Sequence, residues 1–167
     1  MTGRQREGWR VTQRPRRRVD ADVDLRLPGD RREVTRHPAA VLGAVAAGGV
    51  LGSLARAGLQ AAFPHGPAAF AWATFGINLG GCLLIGVLMA VLRAAGGGPP
   101  LARPFLGVGV LGGFTTFSTY VVDVHQALVV GAPGTALAYL VGTVVGALLA
   151  VWTGDTLTGR LLRWSGR

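Results

Sequence analysis

The 167-residue sequence contains no lysine, one cysteine, three histidines and only eight acidic residues. A single Cys82 inside an apolar run cannot close an internal disulfide and reads as a small packed hydrophobe, so redox chemistry has no support. His37, His65 and His125 are scattered, and the apolar stretches hold no paired carboxylates, nucleophile–base pair or phosphate loop. An enzyme is therefore not expected. Charged residues make up 15% of the chain, against about 25% in soluble domains, which argues against an ordinary cytosolic protein.

What is present is unevenly divided. All 17 basic residues are arginine and the net charge is +9, yet the mean hydropathy is +0.41. Residues 1–38 hold 11 Arg and 6 acids, whereas residues 39–167 hold 6 Arg and 2 acids. The first part, with few large apolar residues, is expected to be a disordered Arg-rich tail, and the second part expects lipid around it. A secretory leader is the competing reading, because Ala44-Val45-Ala46 resembles a cleavage site, but a 38-residue basic region carrying six acids fits that poorly. An Arg-rich tail can also bind nucleic acid. Beside a membrane helix, attraction to anionic lipid headgroups is the better-supported role, and no nucleic-acid partner is expected.

Four runs are long enough to cross a bilayer, which takes roughly 20 helical residues: 39–63, 68–92, 104–130 and 134–153. Pro38, Pro104 and Pro133 stand at helix starts, and Pro64, Pro67 and Gly96-Gly97-Gly98-Pro99-Pro100 interrupt helices. The expected division is a tail over 1–38, a four-helix transmembrane domain over 39–157 and a short basic C-terminus over 158–167. Close to the spans, Arg26, Arg31, Arg32, Arg36, Arg93, Arg103, Arg160, Arg163 and Arg167 share one side, while the turns at 64–67 and 131–133 have no Arg. Nine against zero predicts one orientation with both termini cytoplasmic.

Each span carries a Gly-xxx-Gly pair: Gly48/Gly52, Gly76/Gly80, Gly109/Gly113 and Gly142/Gly146. Small residues let helix backbones approach closely in lipid, so the pairs predict a compact bundle, with some of these faces available between subunits. Polar residues inside the spans are functional candidates by default. Arg56, two thirds along the first span, either snorkels to the headgroups or holds a positive charge near a watery vestibule. Asn78, near the middle of the second, is either interhelical glue or a donor in a permeation path.

The third span contains Gly109-Val110-Leu111-Gly112-Gly113-Phe114-Thr115-Thr116-Phe117-Ser118-Thr119-Tyr120. The Gly-Gly followed by Thr-Thr is expected to interrupt the helix near the membrane centre, where irregular backbone is tolerated only if protein buries it or water lines it. Freed carbonyls suit a hard cation, and two chains meeting there would supply four oxygens; the alternative is that Thr115, Thr116, Ser118 or Thr119 hydroxyls satisfy them. Phe117 and Tyr120 share a helix face, and aromatic ring edges, which are positive, can line an anion path without a formal charge. Asn78, Ser118 and Thr119 are nearby donors. Tyr139 and Thr143, four apart on the fourth span, place two more hydroxyls on one face, for the path or for helix–helix hydrogen bonds.

These residues resemble the bacterial Fluc (CrcB) fluoride channels over roughly 41–154. The likeness rests on Gly49-xx-Gly52-xxx-Arg56, Asn78-xx-Gly81-xxxx-Gly86, Gly112-Gly113-Phe114-Thr115-Thr116-Phe117-Ser118-Thr119 and Ala136-xx-Tyr139-xxx-Thr143, in that order. The resemblance implies an all-α membrane protein of the bacterial plasma membrane, an antiparallel dual-topology dimer with two fluoride pathways, and a central sodium ion that is not transported. It implies that carbonyls of Gly112 and Thr115 hold the sodium. By that likeness Asn78, Phe117, Ser118 and the position of Tyr120 would line the fluoride path, Tyr139 and Thr143 would continue a polar track, and Arg56 would be the arginine of the family's first-span motif; Arg56 and the donor Thr119 are counted with the path. The family usually has Phe at the position of Tyr120, commonly Ser at Thr143, and Glu at Asp123. The fixed orientation conflicts with a homodimer of opposed chains, so a related second subunit of opposite orientation is expected, with a homodimer as the alternative. Fluoride leaving the cytoplasm passively is the leading function; a small proton-coupled exporter, for which Asp123 is the embedded acid, and a non-transporting structural subunit are the alternatives.

Overall fold

A computed structural model describes residues 38–165, all of whose regular structure is helical. The expected Arg-rich tail therefore lies outside the described residues. The helices are α1 (Pro38–Ala62), α2 (Trp72–Ala94), α3 (Arg103–Leu111, wound as a π-helix rather than an α-helix), α4 (Gly112–Phe114), α5 (Ser118–Val129) and α6 (Pro133–Ser165). Four stretches are long and apolar enough to cross a membrane: Pro38–Ala62, Trp72–Ala94, Arg103–Val129 and Pro133–Trp164. These correspond to the four runs read from the sequence.

Glycine decides how the spans meet. A Cβ on Gly48 or Gly52 of α1 would collide with the backbone of Phe105 or Val110, and one on Gly109 would sit 2.9 Å from Gly48 Cα. The Gly48/Gly52 and Gly109/Gly113 pairs thus face one another across a single seam. The other two expected pairs do not act this way: a Cβ on Gly76 or Gly80 would meet nothing within 4 Å, and Gly142 and Gly146 touch only the Phe75 and Leu79 side chains. The backbone contact between α2 and α6 comes instead from Gly86 and Gly154, where a Cβ would collide with the Val151 and Leu83 carbonyls. Contact positions rise together along α1 and α3, and along α2 and α6, so each of these pairs runs parallel. The chain alternates up and down.

Large side chains point away from the bundle, with Leu42, Leu54, Leu137 and Leu148 all more than 60% exposed. Small and polar residues occupy the inside, among them Thr74, Asn78, Thr116 and Thr143. This inversion suits a lipid solvent, in which an outward leucine costs nothing and tight backbone approach supplies the attraction.

Two boundaries differ from the sequence expectation. The second helix starts at Trp72 rather than 68, because Gly66 to Ala69 closes a turn (Ala69 N to Gly66 O, 3.0 Å) and Phe70 accepts the Trp72 amide. The fourth runs to Ser165 rather than 153, so the segment from 158, expected as a separate basic tail, forms the last turns of α6 as far as Ser165. Trp152-Thr153-Gly154-Asp155 reads as a polar ending, but its polar groups are satisfied within the bundle. Thr153 and Thr156 hydroxyls bond back to the Leu149 and Trp152 carbonyls, and Asp155 pairs with Arg93. At the other connection, Gly96, Gly97 and Gly98 adopt φ of 67°, 110° and 70°, a left-handed run that only glycine makes without strain, and it turns α2 back toward α3.

Candidate functional site

The link between α4 and α5 is where three helices converge. Helical winding stops after Phe114; Thr115 is extended at φ −76°, ψ 156°, and winding resumes at Ser118. Gly112, at φ −66° and ψ −37°, is itself helical, so the irregular backbone lies at Thr115 to Phe117 rather than at the glycines. Glycine's part is different: Gly113 and Gly81 give the space for α1 and the Thr115 side chain to close on the link.

Asn78 of α2 grips the link at two points. Its Nδ2 donates to Thr116 O at 3.0 Å, and its Oδ1 accepts from the Thr116 amide at 2.9 Å. Both ends of one carboxamide thus replace the two ladder bonds that Thr116 forgoes, which keeps the buried backbone paired. One N–H of the Nδ2 group remains over. Thr116 then organises the start of α5: its Oγ1 accepts the Thr119 amide at 3.1 Å and donates to Thr119 Oγ1 at 3.1 Å. The Thr119 hydroxyl proton stays uncommitted, and Ser118, which is exposed, lies 3.3 Å from Thr116 Oγ1.

On the α1 side, Arg56 Nε donates to Gly113 O at 3.1 Å, and Ser53 Oγ reaches the same oxygen at 3.5 Å. A guanidinium on a carbonyl at a helix C-terminus is favourable, since that end carries partial negative charge. Arg56 is half-buried and faces the link, so it is not simply stretched out to headgroups.

The carbonyls of Gly112 and Thr115 are treated differently. In a continuous helix they would accept from the amides of Thr116 and Thr119, four residues on. Those amides are turned to Asn78 Oδ1 and Thr116 Oγ1. The Thr115 and Thr116 hydroxyls, which could compensate, donate elsewhere, to Leu111 O at 2.9 Å and to Thr119 Oγ1 at 3.1 Å. Two acceptors are therefore left without their helical donors, which is the donor set a hard monovalent cation takes. Among the described residues no cluster of His, Cys, Asp and Glu offers a rival metal site.

A ladder of rings leads away from the link. Phe117, 78% exposed, lies 5.8 Å from Tyr120; Tyr120 lies 5.3 Å from Tyr139, and Tyr139 meets Phe70 edge-on at 5.1 Å. Tyr120 spends its hydroxyl proton on Leu140 O at 2.9 Å, and Tyr139 donates to Asp123 Oδ2 at 3.2 Å. The other Asp123 oxygen faces His65 Nε2 at 3.7 Å. Thr143, one turn from Tyr139, is 5% exposed and its Oγ1 has no hydrogen-bond partner among the described residues. A buried hydroxyl left so costs about 1–3 kcal/mol, which makes it a group prepared for an arriving ligand or water.

The structure thus joins Arg56, Asn78, Thr119 and Ser118 around one link, and connects Phe117 to Tyr120 and Tyr139 through rings. It does not place Arg56 or Asn78 in hydrogen-bond contact with Tyr139 or Thr143 in the same chain. Sequence reading missed the central place of Thr116 and the part of Ser53, Phe70 and His65. Thr116 was within the singled-out run, but nothing in the order Thr-Thr says which of the two turns inward.

The sequence matches the CrcB-like protein family, Camphor Resistance (CrcB), over residues 43–155. It is 54% identical over 122 residues to the Fluoride-specific ion channel FluC 2 of Thermobifida fusca (strain YX), covering 73% of this chain and 90% of that one. It is 43% identical over 140 residues to the Fluoride-specific ion channel FluC 1 of Streptomyces coelicolor, covering 84% and 91%. Against the Fluoride-specific ion channel FluC of Stutzerimonas stutzeri (strain A1501) it is 45% identical over 115 residues, covering 68% and 93%. The matched segment runs from within the first membrane-spanning stretch to Asp155 in the fourth and contains every residue of the link, and the chain is a multi-pass membrane protein that belongs to the CrcB family.

Proposed function

We propose that the protein is a fluoride channel that lets cytoplasmic fluoride leave passively across a bacterial plasma membrane, working as an antiparallel dimer. The observation that carries this reading is the link at Thr115 to Phe117. Asn78 and Arg56 hold it open at membrane depth, it exposes Phe117, and it strips two carbonyls of their donors. A small, strongly hydrated anion needs several weak donors and no strong counter-charge in the narrow path. The chain offers such donors in the Thr119 and Thr143 hydroxyl protons, the spare Asn78 N–H and the positive ring edge of Phe117. Ser118 adds a hydroxyl at the same place, and Tyr120 contributes its ring rather than its committed proton. Arg56, fixed on Gly113 O, supplies positive potential beside the path without standing in it.

The interrupted third helix also supports a resident sodium ion, with Gly112 and Thr115 carbonyls of each of two chains giving four oxygens. Bound there, sodium would neutralise the opposed carbonyl dipoles and tie the two subunits together; the chain's own part is to hold those carbonyls through Asn78 and Thr116. In this reading both termini are cytoplasmic and the second subunit is a related chain of opposite orientation.

Fluoride efflux from liposomes, read with a fluoride electrode and compared with chloride, tests the function for the chain alone and with a related second subunit. Fluoride-selective flux without an imposed pH gradient is expected. A proton-coupled exporter has one observation in its favour, the embedded Asp123 between Tyr139 and His65. Flux that requires a pH gradient would select it, and silence from folded protein in every combination would leave a structural subunit.

A further inference from the structure

A second site lies far from the link, at the end of the bundle where α2 and α6 finish. Ala90, Arg93 and Ala94 of α2 and Asp155, Thr156, Gly159, Arg160, Leu162 and Arg163 of α6 line an open cavity of about 570 Å³. We propose that this cavity binds the phosphate-bearing headgroup of an anionic phospholipid.

Charge comes first. Three guanidiniums share the cavity with one carboxylate, and that carboxylate is paired with Arg93. Arg160 and Arg163 have no ionic partner among the described residues, whose only acids are Asp123 and Asp155. The excess of positive charge outweighs the partial negative charge of the two helix ends. Guanidinium forks match phosphate oxygens in pairs, which a lysine would not do.

Depth comes second. Arg93 follows the apolar run of α2, and Arg160 and Arg163 occupy the last turns of the membrane-spanning part of α6. Trp164, 82% exposed, stands beside them, as tryptophans do at headgroup level. A basic cavity between helices at that level has the chemistry of a lipid headgroup site. Shape comes third. With a water's share of liquid near 30 Å³, the volume is roughly that of nineteen waters, more than a lone inorganic anion fills and suited to phosphate with its glycerol. Ala90, Ala94 and Leu162 give an apolar wall for the attached stem. This inference does not rest on fluoride conduction.

The test is native mass spectrometry of the full-length chain taken from micelles containing equal amounts of phosphatidylglycerol and phosphatidylcholine. Preferential retention of phosphatidylglycerol is expected, with a loss of about tenfold in Arg160→Gln/Arg163→Gln, the size of a lost charge-assisted contact. Arg103→Gln removes a charge at the same end outside the cavity and should change retention little. Asp155→Asn should increase retention, a gain that misfolding cannot mimic. Equal retention of both lipids by the unaltered chain, or equal loss from Arg103→Gln, would overturn the site. Displacement of the lipid by millimolar inorganic phosphate would overturn the lipid as ligand and assign the cavity to a free anion.

Discussion

One carboxamide holds the least regular backbone of this membrane protein. Asn78→Ala would leave the buried Thr116 N–H and C=O without partners, each at about 1–3 kcal/mol. A lower thermal unfolding midpoint and loss of fluoride flux are expected together, whereas Asn78→Asp, which still accepts from the Thr116 amide, should recover part of the midpoint. An unchanged midpoint in Asn78→Ala would show that the two bonds at 3.0 and 2.9 Å are not a clamp. Tyr120 allows a contrasting test, because its hydroxyl serves Leu140 O rather than the path. Tyr120→Phe should keep fluoride flux while lowering stability by roughly 0.5–1.5 kcal/mol, the net worth of one hydrogen bond, as read by thermal unfolding; abolished flux would return the hydroxyl to the pathway. The types of residue at the site were legible in the sequence, since Asn, Thr, Ser and Gly are costly in lipid. Their partners were not. Helical winding stops at Thr115, which is extended, so Thr115 and Thr116, adjacent in sequence, donate their hydroxyls in different directions, to Leu111 O and to Thr119 Oγ1.

At the scale of the helix, sequence announces that spans exist better than it announces how they meet. All four spans could be read from apolar length and proline placement, while α6 outran its reading because Asp155 and Gly154, polar and flexible in isolation, are absorbed by Arg93 and by the close approach of Leu83. Gly-xxx-Gly spacing marked four faces, of which two form a mutual seam and Gly76/Gly80 faces open space. The motif specifies a face fit for close approach but not the neighbour that uses it. This difference can be measured. Gly52→Ala should lower the unfolding midpoint by the equivalent of about 1–3 kcal/mol, the usual cost of overpacking, because its Cβ would meet Val110 backbone rather than a movable side chain. Gly76→Ala should leave the fold of the single chain intact. A shift toward monomer in Gly76→Ala, followed by analytical ultracentrifugation in detergent, would assign that open face to subunit contact.

For the whole molecule, the proposed antiparallel dimer would supply two quantities that a single chain lacks. The first is coordination: in the proposed sodium site Gly112 and Thr115 of one chain would provide two oxygens, and a hard cation takes six or so from all sources, waters included. Replacing sodium with N-methylglucamine in purification and assay buffers is therefore expected to weaken the dimer and reduce flux together. Indifference of both would count against the carbonyl site while leaving fluoride conduction standing.

The second quantity is charge. Arg93, Arg103, Arg160 and Arg163 sit on segments at one end of the alternating bundle, and the connections at 63–71 and 130–132, at the other end, contain no arginine. Dual insertion needs a bias near zero, whereas each arginine near a span resists translocation, so this distribution is expected to hold the chain in one orientation. The proposed antiparallel pair would then need a second, related chain whose bias is reversed. Reporter fusions at the C-terminus of the chain expressed alone should give signal on the cytoplasmic side only. Adding arginines to the 63–71 connection while replacing Arg93, Arg103, Arg160 and Arg163 with glutamine should move the reporter outward, and co-expression of the unaltered and reversed chains should yield fluoride flux without any other subunit. Equal signal on both sides from the unaltered chain would remove the need for a partner and make the homodimer sufficient.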